Sequence, residues 1–296
     1  MAVLVTAFVA LVGLLAIGVP FALAALLGAI ATATAPAATA DVVHEMRAEG
    51  RFSRTLLGIV ALDDAWGLIL FSLALSLAFT LRGANGIEAL ASGAWELGGA
   101  VLLGLVLGIP MAYLTGRIRP GEPTLAEALG VVFLCGGLAL YLGVSFLLAA
   151  MVMGAAVANL ATHHDRPFHA IEGIEWPFMI LFFVLAGASL ELETLLQLGT
   201  IGSAYVILRI IGRLLGGWLG GTLARAPSSL RRGMGGALMP QAGVAVGMAL
   251  VAVERFPEFG PVILPVVFAS TILFEIFGPV MTRRALTAAE IGRAHV

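Results

Sequence analysis

Ile59-Val60-Ala61-Leu62-Asp63-Asp64-Ala65-Trp66-Gly67 lies inside an apolar run from Thr55 to Phe79. A run of that length spans a bilayer as a helix. At the helical rise, the two acids sit about 12 to 14 Å along from Arg54, close to the midplane of a hydrocarbon core roughly 30 Å thick. A charge placed there costs roughly 2.5 to 3.5 kcal/mol on insertion scales, so two in a row require partners and a purpose.

The rest of the 296-residue chain is of the same kind, being 60% hydrophobic and 11% charged. That composition specifies an all-α polytopic membrane protein and excludes a soluble domain. Every basic residue is an arginine, and the net charge of −2 gives no reason to expect nucleic acid as a partner. The single cysteine, Cys135, excludes a disulfide framework. No basic residue precedes the first apolar run, which therefore reads as a membrane helix and not as a cleaved signal.

Apolar windows bounded by charge, proline or glycine predict about ten spans: Val3 to Ile17, Pro20 to Val43, Thr55 to Phe79, Ser92 to Thr115, Leu125 to Leu142, Ser145 to Leu160, Trp176 to Leu190, Ile201 to Ala224, Gly233 to Val253, and Pro261 to Met281. We read residues 1–289 as one transmembrane domain, with core helices at about 3–79 and 201–281 and intervening helices at about 92–190. Residues 290–296 (EIGRAHV) read as a tail derived from a sequencing adapter, outside the fold.

Counting arginines on alternate sides of these spans gives eleven on one side: Arg47, Arg51, Arg54, Arg117, Arg119, Arg166, Arg225, Arg231, Arg232, Arg283 and Arg284. The other side has Arg82 and Arg255, so the first side is expected to be cytoplasmic. Arg209 and Arg213 fall within the eighth span.

Two spans carry a defect. The second contains Thr32-Ala33-Thr34-Ala35-Pro36-Ala37-Ala38-Thr39 and the ninth contains Met239-Pro240-Gln241-Ala242-Gly243; in each, a proline removes a backbone donor and clashes with the preceding turn. The topology makes these two broken helices antiparallel, each flanked by one helix before and one after. That is an inverted repeat, which places a transport site near the midplane, where broken helix ends and freed carbonyls face a cavity. Gly212, Gly216 and Gly220 form two GxxxG steps on the eighth span and read as close helix packing.

Asp63 and Asp64 point about 100° apart on a helix, so they divide their work. One takes a cation or proton, and the other pairs with a fixed positive group, for which Arg213 is the best placed and Arg209, one turn earlier, the next. Left unpaired, the four charges would add roughly 10 to 14 kcal/mol of insertion cost. Desolvation and a neighbouring like charge both favour the neutral form of a carboxylate in general, and a carboxylate can hold a proton or a monovalent cation but not both. Mutual exclusion on one site couples opposite fluxes if that site faces each side in turn.

Glu275 is a possible accessory acid near the cytoplasmic end of the tenth span. Glu96 and Glu127 lie at helix ends as solvated residues. His163, His164 and His169, beside Asp165, Glu172 and Glu175, form a polar loop with no convincing metal spacing. No metal beyond the transported cation, no cofactor and no enzymatic activity is expected.

These motifs resemble the bacterial monovalent cation:proton antiporters of the two-aspartate type, including Kef-like and Nap-like sodium or potassium/proton exchangers. The resemblance runs from Ala24-Ala25-Leu26-Leu27-Gly28-Ala29 through the aspartate pair to Arg209-Ile210-Ile211-Gly212-Arg213 and Phe274-Glu275-Ile276-Phe277-Gly278-Pro279. It implies a core that moves like an elevator against a dimerising scaffold, in a homodimer of the bacterial cytoplasmic membrane. It implies Asp64 as the exchanging carboxylate and Asp63 as the one held by Arg213, with Thr34 and Gln241 at the two helix crossings near Pro36 and Pro240. Relatives with paired aspartates often have lysine at the Arg213 position, and arginine, unlike lysine, does not release its proton. They also have twelve or thirteen helices, so the chain is expected to be truncated before Met1 as well as after Ala289.

Other functions fit less of the sequence. An intramembrane aspartyl protease needs its two aspartates on different helices. A Kef-like potassium efflux system or channel, and a sodium-coupled organic-anion symporter of similar fold, remain as alternatives to exchange.

Overall fold

The computed structural model describes residues 1–81, 86–115, 124–161, 199–241 and 243–290, with isolated positions between 171 and 184. The seventh predicted span, the histidine loop from His163 to His169 with its acids, and residues 291–296 lie outside or largely outside them.

Among the described residues the chain is helical, with no strand. In order it forms α1 (Ala2–Ala16), α2 (Phe21–Ile30), α3 (Pro36–Glu45), α4 (Arg51–Leu81), α5 (Gly86–Thr115), α6 (Thr124–Leu142), α7 (Phe146–Leu160), α8 (Gly199–Leu223), α9 (Ser228–Ala237), α10 (Gly243–Arg255) and α11 (Gly260–Glu290). Among the described residues, five stretches are long and apolar enough to cross a membrane: Arg51–Leu81, Gly93–Leu114, Leu125–Leu142, Gly199–Leu223 and Pro257–Ala289. Shorter apolar helices accompany them at Ala2–Ala16, Phe21–Ile30 and Phe146–Leu160.

The chain divides into two compact units, Met1–Leu81 with Leu190–Val296, and Arg82–Ser189. In the second, α5, α6 and α7 bury Ala100, Leu103, Cys135, Ala139, Leu148 and Met153, while Leu102, Val106, Phe133 and Tyr141 face outward as lipid-facing side chains do. Trp95 ties α5 to the end of α6 through its indole N–H, which donates to the Leu142 carbonyl at 3.0 Å. Glu127 is exposed in the first turn of α6.

The first unit contains the repeat. Helix α1 precedes the broken pair α2 and α3, and α4 follows; α8 precedes the broken pair α9 and α10, and α11 follows. On α1 the buried positions Val3, Thr6, Ala10 and Leu14 recur every three or four residues, and the stripe packs on α8. Gly212 and Gly216 make that packing close: a Cβ at Gly212 would lie 2.7 Å from Thr6 Cα, and one at Gly216 2.8 Å from Ala2 Cα. The GxxxG spacing thus serves α1 against α8. At the arginine-rich end Val43, Phe52, Leu56, Leu230, Met234 and Leu286 join α3, α4, α9 and α11 in one core cluster.

Both breaks have local causes. Pro36 supplies no N–H and holds the preceding Ala35 in an extended conformation (φ −112°, ψ 93°), so α2 stops at Ile30 and α3 restarts with Pro36 in its first turn. Pro240 acts likewise between Ala237 and Gly243. The tenth window was expected to end at Met281, yet α11 continues to Glu290. Beyond Met281 the helix turns amphipathic, keeping Leu286 and Ala289 buried while Arg283 and Arg284 are exposed, so the end of hydropathy is not the end of the helix.

Candidate functional site

The two breaks meet. The Ala35 N–H donates to the Pro240 carbonyl at 3.1 Å, a backbone bond joining one interrupted helix to the other. Each break strands the last carbonyls of a half-helix, and these carry the negative end of the helix dipole. Two guanidinium groups from α8, four residues apart on one face and both fully buried, take them up.

Arg209 donates to the Met239 carbonyl at 2.9 Å and to the Ala33 carbonyl at 2.8 Å, so one side chain holds the ends of α2 and α9 together. Its guanidinium carbon also lies 4.1 Å from the centre of the Phe274 ring, a cation–π contact from α11. The hydrogen bonds of Arg209 thus go to backbone carbonyls and not to a carboxylate.

Arg213 donates to Asp63 Oδ2 at 2.6 Å and also to the Thr32 carbonyl. Asp63 is 5% exposed and Arg213 is 0% exposed. A buried pair of this kind adds little net stability, but breaking it by removing one partner costs about 3 to 5 kcal/mol.

Asp64 takes the other direction from α4. It lies beside Thr34, and its Oδ1 is buried with no hydrogen-bond partner among the described residues. Thr34 Oγ1, buried beside it, likewise makes no close hydrogen bond among the described residues. These two oxygens, beside the helix ends that Arg209 and Arg213 hold, suit a small hard cation or a proton. Gln241, in the second break, is fully buried near the Tyr205 hydroxyl, and neither of its amide atoms makes a close hydrogen bond among the described residues.

Glu275, expected near the cytoplasmic end, lies midway along α11, because that helix runs on past Met281; its Oε2 is buried and unpartnered. Tyr205, absent from the motifs above, is fully buried one turn before Arg209 with its hydroxyl near Gln241 and Ser270. Its signal was available in the Tyr205, Arg209, Gly212, Arg213, Gly216 stripe that buries one face of α8. The proline breaks announced freed carbonyls but not that those of Thr32, Ala33 and Met239 are the ones taken up by arginine, since side-chain identity does not mark a backbone acceptor.

Antiparallel broken helices that cross beside a buried acid–arginine pair define an ion-coupled secondary transporter, built as an inverted repeat in a membrane. The chain belongs to the sodium/hydrogen exchanger family: the family described as "Sodium/hydrogen exchanger, transmembrane" matches residues 1–287. Its activity is antiport of a cation against protons. Two solved structures of the sodium proton antiporter MjNhaP1 from Methanocaldococcus jannaschii share the fold. The one at pH 8 has a TM-score of 0.72 at 21% identity, covering 98% of this chain and 75% of that chain. The other, an electron-microscopy map, also has a TM-score of 0.72, at 18% identity, covering 100% of this chain and 77% of that chain. No curated protein matches the sequence.

Proposed function

We propose that Asp64 is the carboxylate on which cation and proton compete, and that the loaded site is presented to each side of the membrane in turn. The observation that supports this reading is the pair of unpartnered oxygens, Asp64 Oδ1 and Thr34 Oγ1, in a site whose other charges are already committed. Thr34 and the neighbouring broken-helix backbone complete the cation's shell, and Gln241 orders the second break.

The stoichiometry follows from charge. Asp63 is engaged by Arg213, which leaves Asp64 as the carboxylate without a fixed counter-charge. With Asp64 as the one exchanging group, the core carries the same charge whether a proton or a monovalent cation is aboard. We therefore infer one-for-one, electroneutral exchange. Sodium is the first cation to test, because MjNhaP1 is a sodium proton antiporter. The transporter works as a homodimer in a bacterial cytoplasmic membrane with no resident cofactor.

The test is proton flux in proteoliposomes pulsed with sodium, potassium or lithium. The parent chain dissipates a preset pH gradient on addition of its cation, and Asp64→Asn does not. An Asp64→Asn protein that exchanges as fast as the parent rules the reading out.

A further inference from the structure

At the arginine-rich end of the first unit, α9 and α11 run side by side and leave a cleft of about 540 Å³ between them and α8. Its register is fixed just beneath, where the Thr282 hydroxyl donates to the Ala237 carbonyl at 3.1 Å. Along α9 the lining runs from Ser228 through Arg232 to Gly236; along α11 it runs from Arg284 inward to Met281, with Leu214 of α8 at the inner end. The helical rise from Ser228 to Gly236 gives a depth of about 12 Å.

The chemistry changes with that depth. Ser228 begins α9 behind Pro227 with no side-chain cap, so the first-turn N–H groups are open. Arg232 and Arg284 stand on opposite walls, both exposed and neither in an ion pair or hydrogen bond among the described residues. Below them Gly236, Met281 and Leu214 are apolar, and Met281 and Leu214 are partly exposed. Positive walls above an apolar floor suit an amphipathic anion. A free phosphate would leave the floor empty, and a zwitterionic lipid would bring a fixed positive charge beside both guanidinium groups.

We propose that this cleft binds an anionic phospholipid, with the phosphodiester between Arg232 and Arg284 and one acyl chain along Gly236, Met281 and Leu214. The lipid braces α9 against α11. Because α9 ends two residues before the Met239 carbonyl held by Arg209, it also steadies the half-helix leading into the crossing.

Arginine at this end is expected from topology alone, so the test holds the charge count constant. The full chain is purified, and binding of dioctanoyl phosphatidylglycerol is followed by native mass spectrometry, with dioctanoyl phosphatidylcholine and inorganic phosphate as comparisons. Removing both cleft charges in R232Q/R284Q is expected to weaken phosphatidylglycerol binding roughly thirtyfold. R51Q/R225Q, which removes two exposed arginines outside the cleft, is expected to leave it unchanged. Ala288→Trp fills the cleft without changing charge and is expected to abolish binding. Equal losses in the two double variants overturn the proposal, since they mean surface charge alone. It is also overturned by phosphatidylglycerol binding no tighter than phosphatidylcholine, by displacement with inorganic phosphate, or by undiminished binding in Ala288→Trp.

Discussion

Asp63 and Asp64 are adjacent in sequence and opposite in situation. Asp63 is locked to a buried arginine, and Asp64 has an oxygen to spare. Their amide variants should therefore fail differently. Asp63→Asn leaves Arg213 buried without its counter-charge, so the folded state should lose about 3 to 5 kcal/mol, read as a lower thermal midpoint in detergent. Asp64→Asn removes no ion pair; it should keep the parent's midpoint while losing exchange. A shared drop in midpoint would show that both acids are structural. The acids themselves were legible in the sequence because charge in an apolar run is expensive, and α4 gave their depth and the angle between them. The separate duties of Arg209 and Arg213 were not legible. Four residues apart on one face, they look equivalent until the acceptors on the neighbouring helices are placed, and most of those acceptors are backbone.

The crossing depends on carbonyls being satisfied. Arg209→Met preserves bulk on α8 but orphans the acceptors at Ala33 and Met239, each worth about 1 to 3 kcal/mol when buried unpaired. A lower midpoint should follow, and hydrogen exchange should accelerate at Ala35, whose N–H crosses to Pro240. Protection at Ala35 unchanged from the parent would mean the breaks hold without the clamp. The same crossing is narrow at Gly278, where a Cβ would lie 2.6 Å from Pro240 Cα. Gly278→Ala should destabilise the protein by roughly 1 to 3 kcal/mol through forced separation of α11 from the break. At this scale the breaks were readable because proline acts locally, on its own donor and the residue before it. The end of α11 was not readable, because hydropathy marks where lipid stops and the helix continues on the strength of Leu286 and Ala289 packing.

For the whole molecule, the inverted repeat was visible in the sequence as two prolines in antiparallel spans with flanking helices. Which glycines face which helix, and that two arginines rather than one fasten the crossing, came only with three-dimensional packing. One exchanging carboxylate, which leaves the core with the same charge whether a proton or a monovalent cation is aboard, predicts antiport that membrane potential does not drive. In proteoliposomes clamped with potassium and valinomycin, sodium-driven proton flux should have the same rate at zero and at inside-negative potential. A rate that rises steeply with voltage would require a second titrating group. Most directly, sodium can be added to the purified chain in a weakly buffered detergent solution while bound cation and released protons are counted together. Competition at Asp64 predicts one proton released per cation bound at a pH where the site is protonated, and neither event in Asp64→Asn. Sodium binding without proton release, or release that persists in Asp64→Asn, would contradict it.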